Sequence, residues 1–130
     1  MDRRFFPMVV VMAAIFLLSH TPGDDLPAAA AGMDKLCHAA AYGALAATMI
    51  YAVYPRIRDI SFFTPGAGIV LFCLFYGITD EFHQSFIPGR FPSWQDIVAD
   101  GSGALLVVFF WQWWGNRRRR GGMRPVTGDR

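Results

Sequence analysis

The residues best suited to chemistry lie between Tyr76 and Gln84, at the end of a hydrophobic run, and they include Asp80, Glu81 and His83. Ionisable groups inside a membrane segment are costly unless they are paired, so they usually face a protein interior and mark a functional site. A carboxylic acid and an imidazole are also the side chains that general acid–base catalysis uses most often. Glu81 is therefore the leading acid–base candidate, with Gln84 three residues further along on the same helical face.

Two other segments carry polar residues at helical spacing. Asp34, His38 and Tyr42 recur every four residues and so share one face of a helix. Asp96 and Asp100 have the same spacing. Each of three helices would thus present one polar stripe, which is what a site inside a helical bundle requires.

The charges of these residues are unbalanced. Lys35 and Arg90 are the only permanent cations beside five acids, which are Asp34, Asp80, Glu81, Asp96 and Asp100. The surplus of negative charge must be protonated, hydrated, or neutralised by a bound cation or cationic group. The two cations are candidates for holding a phosphate or carboxylate group of a ligand.

Four apolar runs are the elements that must position these residues. The chain has 130 residues, of which 54% are hydrophobic, and a soluble domain this short has too little interior to bury them. A bilayer-spanning helix needs about 20 apolar residues, or about 17 at the short end. The last three runs meet this length and the first is marginal: 5–19, 36–54, 66–82 and 97–114. We therefore predict an all-α membrane protein, a four-transmembrane-helix bundle formed by residues 1–115.

Basic residues are distributed asymmetrically around the four predicted spans. One side carries ten basic and three acidic residues, whereas the other carries two basic and seven acidic residues. Basic loops favour the cytoplasmic side, so both termini are expected to be cytoplasmic. The polar stripes then lie at the non-cytoplasmic end of the bundle, at the outer leaflet of the membrane.

Both ends of the chain allow a second interpretation. The run 5–19 could be a signal peptide, but the small residues 28–31 lie well beyond its apolar core, which favours an uncleaved first helix. The segment 116–130 is predicted to be a disordered, basic cytoplasmic tail. An arginine run directly after a span is more often an orientation signal or lipid anchor than a nucleic-acid site, so we expect no nucleic-acid partner.

Small residues and cysteines complete the packing prediction. Alanine and glycine dominate the segments 39–47 and 101–104, which predicts that the two helices approach each other closely. Cys37 and Cys73 lie at different depths of the predicted bundle, so we expect two free thiols rather than a disulfide.

The polar residues also form four separated motifs that resemble the VanZ-like family. The motifs are Asp34-Lys35-x-x-His38-x-x-x-Tyr42, Tyr76-Gly77-x-x-Asp80-Glu81-x-x-Gln84, Pro88-Gly89-Arg90 and Asp96-x-x-x-Asp100-x-x-Gly103, within about residues 34–106. The resemblance implies a small multispanning protein of the bacterial cytoplasmic (inner) membrane. The namesake of the family is associated with resistance to the glycopeptide antibiotic teicoplanin. One departure is Asp100, because the family commonly has asparagine there.

Two functions fit these observations. The first is an envelope enzyme or binding site that takes a lipid-linked or cell-wall component from the outer leaflet. Its candidate catalytic residues are Glu81, His38 and Gln84, and its candidate substrate-binding residues are Lys35, Arg90, Asp34, Tyr42, Asp80, Asp96 and Asp100. The second is a non-catalytic accessory module whose polar network specifies helix packing or partner binding. Ion transport is less favoured, because the inner halves of the spans show no polar relay.

Simpler interpretations exist for single residues. Asp34 and Asp96 stand just before apolar runs and could cap helix N-termini. His38 could be a buried histidine with satisfied hydrogen bonds, and Arg90 could be a solvated loop residue. We predict no cofactor and no metal, because the Asp80-Glu81-x-His83 spacing matches no specific zinc signature, although His38, His83 and the acids could form a site.

Overall fold

The computed structural model describes residues 2–26, 32–57 and 63–121, and within these ranges the protein is entirely helical. Its four α-helices are α1 Phe6–Ser19, α2 Met33–Ile57, α3 Phe63–Gln84 and α4 Trp94–Gly121. Short 3₁₀ turns at Arg3–Phe5 and Gly23–Asp25 precede and follow α1. The all-α prediction is confirmed for the part of the chain that the structure describes.

Three of the helices are long and apolar enough to cross a membrane, and they span Met33–Ile57, Thr64–Gln84 and Trp94–Arg118. Helix α1 has 14 residues, and at about 1.5 Å per residue it covers about two thirds of a hydrocarbon core roughly 30 Å thick. The corresponding apolar run in the sequence is marginal in length for a membrane span, and the helix is equally marginal. The chain is thus a membrane protein with three candidate spans among the described residues.

Prolines occupy positions where a helix can tolerate them. Pro7 lies in the first turn of α1, and Pro65 lies near the start of α3, where backbone N–H groups have no helical acceptor. Pro55 falls inside the last turn of α2, and the helix nevertheless continues to Ile57, beyond Tyr54, where the apolar run ends.

The core lies between α2 and its three neighbours. Its buried side chains include Tyr42, Leu45, Cys73 and Val108, with Ile15 contributed by α1. Only 28–33% of each candidate span is buried inside the protein, so most of the apolar surface points outward. This distribution suits a bundle whose remaining apolar surface is covered by lipid.

Helices α2 and α4 pack more extensively than any other pair of described elements. A Cβ added at Gly103 would collide with the backbone carbonyl of Ala39. The helices can therefore approach this closely only because α4 has glycine here, as the small residues predicted. Cys37 and Cys73 are both free thiols, which confirms the expected absence of a disulfide between them.

Helix α4 continues to Gly121, so it passes the predicted domain end at residue 115 and includes the first residues of the predicted tail. Arginine is a good helix former, and cations are favourable near a helix C-terminus. Cation–π contacts one turn apart also support this end of the helix, and they join Arg117 to Trp113 and Arg118 to Trp114. Residues 122–130 of the predicted tail lie outside the described part of the chain.

The start of α1 is held beside the end of α2. Arg56 donates a hydrogen bond to Asp2 at 3.3 Å, and its guanidinium lies 5.5 Å from the Phe5 ring centroid. Asp2 also accepts a hydrogen bond from the backbone amide of Arg4, and this bond, followed by Arg56, lowers the pKa of Asp2. Helices α1 and α2 therefore run in opposite directions.

Candidate functional site

The polar site lies where the N-terminal turns of α2 and α4 meet the C-terminal turns of α3. The segment 85–93 connects α3 to α4 directly beside it. Within this region the structure brings together the polar stripes that the sequence placed on three separate helices. Asp80, Glu81, Gln84, Asp96 and Asp100 are all buried, each with at most 8% of its surface exposed.

At the centre of the site, His38 is paired with Asp100. The Nδ1 atom of His38 lies 2.9 Å from Oδ1 of Asp100, whose side chain is fully buried. A carboxylate beside one ring nitrogen orients an imidazole and favours a proton on that nitrogen, which leaves Nε2 as the atom available for another contact. The simpler interpretation of His38 as a buried histidine is thus too limited, because only one of its nitrogens is bonded among the described residues.

The Asp100 carboxylate also depends on a glycine of α3. A Cβ added at Gly77 would lie 2.6 Å from Oδ2 of Asp100. This oxygen is buried and has no hydrogen-bond partner among the described residues. The glycine therefore makes room for a buried carboxylate, and that carboxylate in turn holds His38.

Glu81 is tied to the start of α4. Its Oε2 atom accepts a 2.7 Å hydrogen bond from the backbone amide of Ser93, the residue just before the helix. The Ser93 hydroxyl accepts a 3.3 Å bond from the amide of Gln95, so serine caps this N-terminus. Asp96 is therefore not needed as the cap and turns into the site instead. The second Glu81 oxygen, Oε1, is buried without a partner among the described residues.

Lys35 connects two acids at the mouth of the site. Its ammonium group lies 2.8 Å from Asp96 and 2.9 Å from Asp34. The Asp96 side chain is 11% exposed, whereas that of Asp34 is 55% exposed. Asp34 thus sits at the solvated edge, in the first turn of α2, where the positive end of the helix favours an acid.

Gln84 lies in a neighbouring cluster and does not pair with Glu81. Its amide nitrogen donates to Asp80 at 3.0 Å and to the Ser19 hydroxyl at 3.4 Å. The helical face that the sequence assigned jointly to Glu81 and Gln84 is therefore divided. Glu81 turns towards α4, whereas Asp80 and Gln84 turn towards α1.

A cleft of about 450 Å³ opens beside these clusters, between α1, α2 and the connecting segments. Its walls are apolar where Ile15, Leu18 and Met33 line it, and its polar lining consists of Ser19, Asp34, His38, Tyr42, Asp80 and Arg90. The Tyr42 hydroxyl and the Arg90 Nε atom are buried and unpaired among the described residues. Arg90 is consequently part of a cleft wall and not a freely solvated loop residue.

The segments around the cleft are joined by backbone contacts. The amide of Gly23, in the α1–α2 connection, donates to the carbonyl of Pro88 at 3.0 Å. Gly89 adopts a φ of +72°, which glycine tolerates more readily than other residues. This turn places the neighbouring Arg90 at the cleft.

Several residues of the site were missed by the sequence analysis. Ser19 and Ser93 bond to predicted site residues, but an isolated serine at the edge of an apolar run carries little signal.

His83 lies outside the central cluster, because its ring stacks on Phe16 and its Nε2 lies 3.2 Å from Nδ1 of His20. The contacts between the end of α1 and the end of α3 could not be inferred from spacing, since they join residues more than sixty positions apart.

The comparisons with known proteins identify the family. The searches of curated proteins and of solved structures gave no match. The VanZ/LLP1 family model matches residues 5–115, which includes α1 and extends beyond the motifs found by inspection. Since the match covers most of the chain and every residue of the polar site, the protein belongs to the VanZ/LLP1 family.

Proposed function

We propose that the polar site binds, and acts on, a lipid-linked or cell-wall component that enters from the outer leaflet of the bacterial cytoplasmic membrane. The observation that carries this proposal is the amphipathic cleft. It offers an aliphatic wall from α1 and α2 beside His38, Asp80 and Arg90. A mostly apolar cleft with a few convergent polar groups is the usual form of a small-molecule site.

The residues of the site divide into two roles in this proposal. His38 and Glu81 are the acid–base candidates. His38 lines the cleft and is held by Asp100 through one ring nitrogen. Glu81 lies behind the cleft lining, is held by Ser93, and has a buried oxygen with no partner among the described residues. Arg90 and Lys35 are the groups for a phosphate or carboxylate, and Arg90 has the stronger case because Lys35 is already paired with two acids. Gln84 serves by holding Asp80 at the cleft.

The location of the site follows from a four-span topology, which we propose with both termini in the cytoplasm. The antiparallel pairing of α1 and α2 supports it, since Asp2 and Arg56 meet at one end of the bundle. The acidic site lies at the opposite end, where basic residues are scarce. Under the positive-inside rule this end is non-cytoplasmic.

The proposal is tested by glycopeptide tolerance in cells that depend on this protein. Glu81→Gln and Arg90→Ala should each remove most of the teicoplanin tolerance that the native protein confers, at unchanged protein abundance in the membrane. Asp25→Asn is the matched control, because Asp25 is an exposed acid near the same end of the bundle. Full tolerance in both site variants at normal abundance would rule the proposed function out.

A non-catalytic accessory role is supported by one further observation, since many polar contacts of the site join different helices. Tyr76 donates to the Met12 carbonyl at 2.9 Å, Gln84 to Ser19, and His38 pairs with Asp100. If these bonds mainly specify assembly, the site variants should lose abundance in proportion to tolerance. Measuring the abundance of each variant in the membrane alongside its tolerance therefore distinguishes the two functions.

A further inference from the structure

We propose that His38, Glu81 and Asp96 form a binding site for a divalent transition-metal ion, with Zn²⁺ as the expected ion. One ligand atom from each of these side chains lies within 4.8 Å of the other two. The three residues come from α2, α3 and α4, respectively. The ion would occupy the same His38 and Glu81 side chains that the proposed function assigns to acid–base chemistry, so it gives these residues a different role. The two proposals can fail separately, because ion binding is measured without any envelope component.

The ligand set suits a borderline transition metal. Imidazole nitrogen favours Zn²⁺ and its neighbours over Mg²⁺ and Ca²⁺, and carboxylate oxygens complete many such sites. Three protein ligands leave a further coordination position, which is typical of zinc sites that bind water or a ligand group. Glu81 lies 43 positions after His38 and 15 positions before Asp96, so a short sequence motif could not have identified the three residues as one site.

The atoms needed for coordination are not occupied by other described residues. Nδ1 of His38 bonds to Asp100, which leaves Nε2 for an ion. Glu81 uses Oε2 for the Ser93 amide, and its Oε1 is buried without a partner. Asp96 receives Lys35 on Oδ1, so its Oδ2 atom remains. Each of the three side chains is thus oriented by one contact and has one ligand atom to spare.

Asp100 acts as a positioning residue in this site. Histidines that bind metals usually donate their second ring N–H to a carboxylate, which fixes the ring and raises its basicity. The 2.9 Å contact between Nδ1 of His38 and the fully buried Asp100 carboxylate has this form. Ser93 plays the corresponding part for Glu81 through its backbone amide.

Charge also favours a cation at this position. Glu81, Asp96 and Asp100 are buried, and Lys35 is the only permanent cation bonded to any of these three acids among the described residues. Buried carboxylates without compensating charge are costly. A divalent ion between them would supply the missing positive charge and a partner for Oε1 of Glu81.

Ion binding requires a small closure of the site. Donor atoms in a tetrahedral site with metal–ligand distances near 2.0–2.1 Å are about 3.3 Å apart. In the structure one nitrogen or carboxylate oxygen from each of the three side chains lies within 4.8 Å of the others, so these atoms would have to approach by up to about an ångström and a half on binding. The movement would have to come from rotation of Glu81 and Asp96, which are held by Ser93 and Lys35, respectively.

The test measures ion binding to the full-length protein in detergent micelles or nanodiscs. The protein is stripped with a chelator, titrated with Zn²⁺ and separately with Mn²⁺ and Mg²⁺ by calorimetry, and its metal content is measured after dialysis. We expect about one Zn²⁺ per chain and weaker binding of Mg²⁺. Glu81→Gln and His38→Gln should abolish binding, and Asp100→Asn should weaken it about 10- to 100-fold.

The controls distinguish ion binding at this site from ion binding at the His20–His83 pair. His83→Gln removes one of the two stacked rings near α1 and should bind Zn²⁺ as the native protein does. Circular dichroism and thermal unfolding establish that each variant is folded, and Glu81→Gln keeps an oxygen for the Ser93 amide. Stoichiometry far below one, or native affinity in both Glu81→Gln and His38→Gln, would overturn the proposal, as would loss of binding only in His83→Gln.

Discussion

Asp100 shows how much a single buried side chain organises in this protein. It is fully buried, it holds His38 at 2.9 Å, and its Oδ2 atom occupies the space left by the missing side chain of Gly77. An aspartate at this position adds a negative charge to a site that already contains the buried acids Asp80, Glu81 and Asp96. The structure gives that charge a specific partner, the His38 ring.

The first prediction at this scale concerns Gly77→Ala. The added methyl group would lie 2.6 Å from Asp100 Oδ2 and displace the carboxylate from His38. We expect a loss of about 1–3 kcal/mol in unfolding free energy, as for other overpacked interiors. Thermal or denaturant unfolding of the purified protein in detergent measures this change.

Gly68→Ala is the matched control for this prediction. Gly68 lies in the same helix, α3, and a Cβ added there meets nothing within 4 Å. Alanine is the better helix former, so this variant should be as stable as the native protein or more stable, by up to about 1 kcal/mol. Equal losses in the two variants would contradict the role assigned to Gly77.

At the scale of elements, the pairing of α2 with α4 decides whether the site can form. His38 and Lys35 reach Asp100 and Asp96 only because the helices approach closely around Gly103. The obstacle to a larger residue at Gly103 is the backbone carbonyl of Ala39, which cannot rotate away as a side chain could. The helices themselves would have to separate.

The second structural prediction is that Gly103→Ala destabilises the protein more than Gly77→Ala does. We expect a loss at or above the upper end of about 1–3 kcal/mol, together with weaker cohesion of α2 and α4. Unfolding in detergent measures the loss. Ser102→Ala is the control, because Ser102 is exposed and, within the described part of the chain, its hydroxyl bonds only to the carbonyl of Val98 in its own helix. A native-like Gly103→Ala protein would refute the close contact.

Helix α1 also belongs to the site, although with 14 residues it is the shortest of the four described α-helices. It supplies Ile15 to the core and to the cleft wall, and Ser19 to the Gln84 cluster. The family match begins at residue 5, so it includes this helix. A site assembled from all four helices explains why the polar residues cluster at one end.

For the whole molecule, the prediction that matters most is orientation. With four spans and cytoplasmic termini, alkaline phosphatase fused after residue 30 or 90 should be active, because both points lie on the non-cytoplasmic side. A fusion after residue 58 or 118 should be inactive, and green fluorescent protein at the same points should show the reverse. Phosphatase activity after residue 118 would contradict this topology.

Much of the architecture could be predicted from the sequence, because the physical signals are local. Apolar runs of sufficient length become helices in which the backbone satisfies its own hydrogen bonds. The spacing of Asp34, His38 and Tyr42, and of Asp96 and Asp100, indicated polar stripes at one end, and the small residues predicted close packing. Hydropathy missed the ends of two helices, since α2 continues to Ile57 and α4 continues through the arginines to Gly121.

Which polar residues meet was decided only by the tertiary structure. Glu81 and Gln84 share a helix and a spacing, yet one bonds to Ser93 and the other to Asp80 and Ser19. The rotation of α3 against its neighbours sets these partners, and it depends on glycine contacts such as that of Gly77 with Asp100. The sequence by itself determined that acids, imidazole and amide would gather at one end of a helical membrane protein. Only packing between residues far apart in the chain determined that His38, Glu81 and Asp96 would face one another.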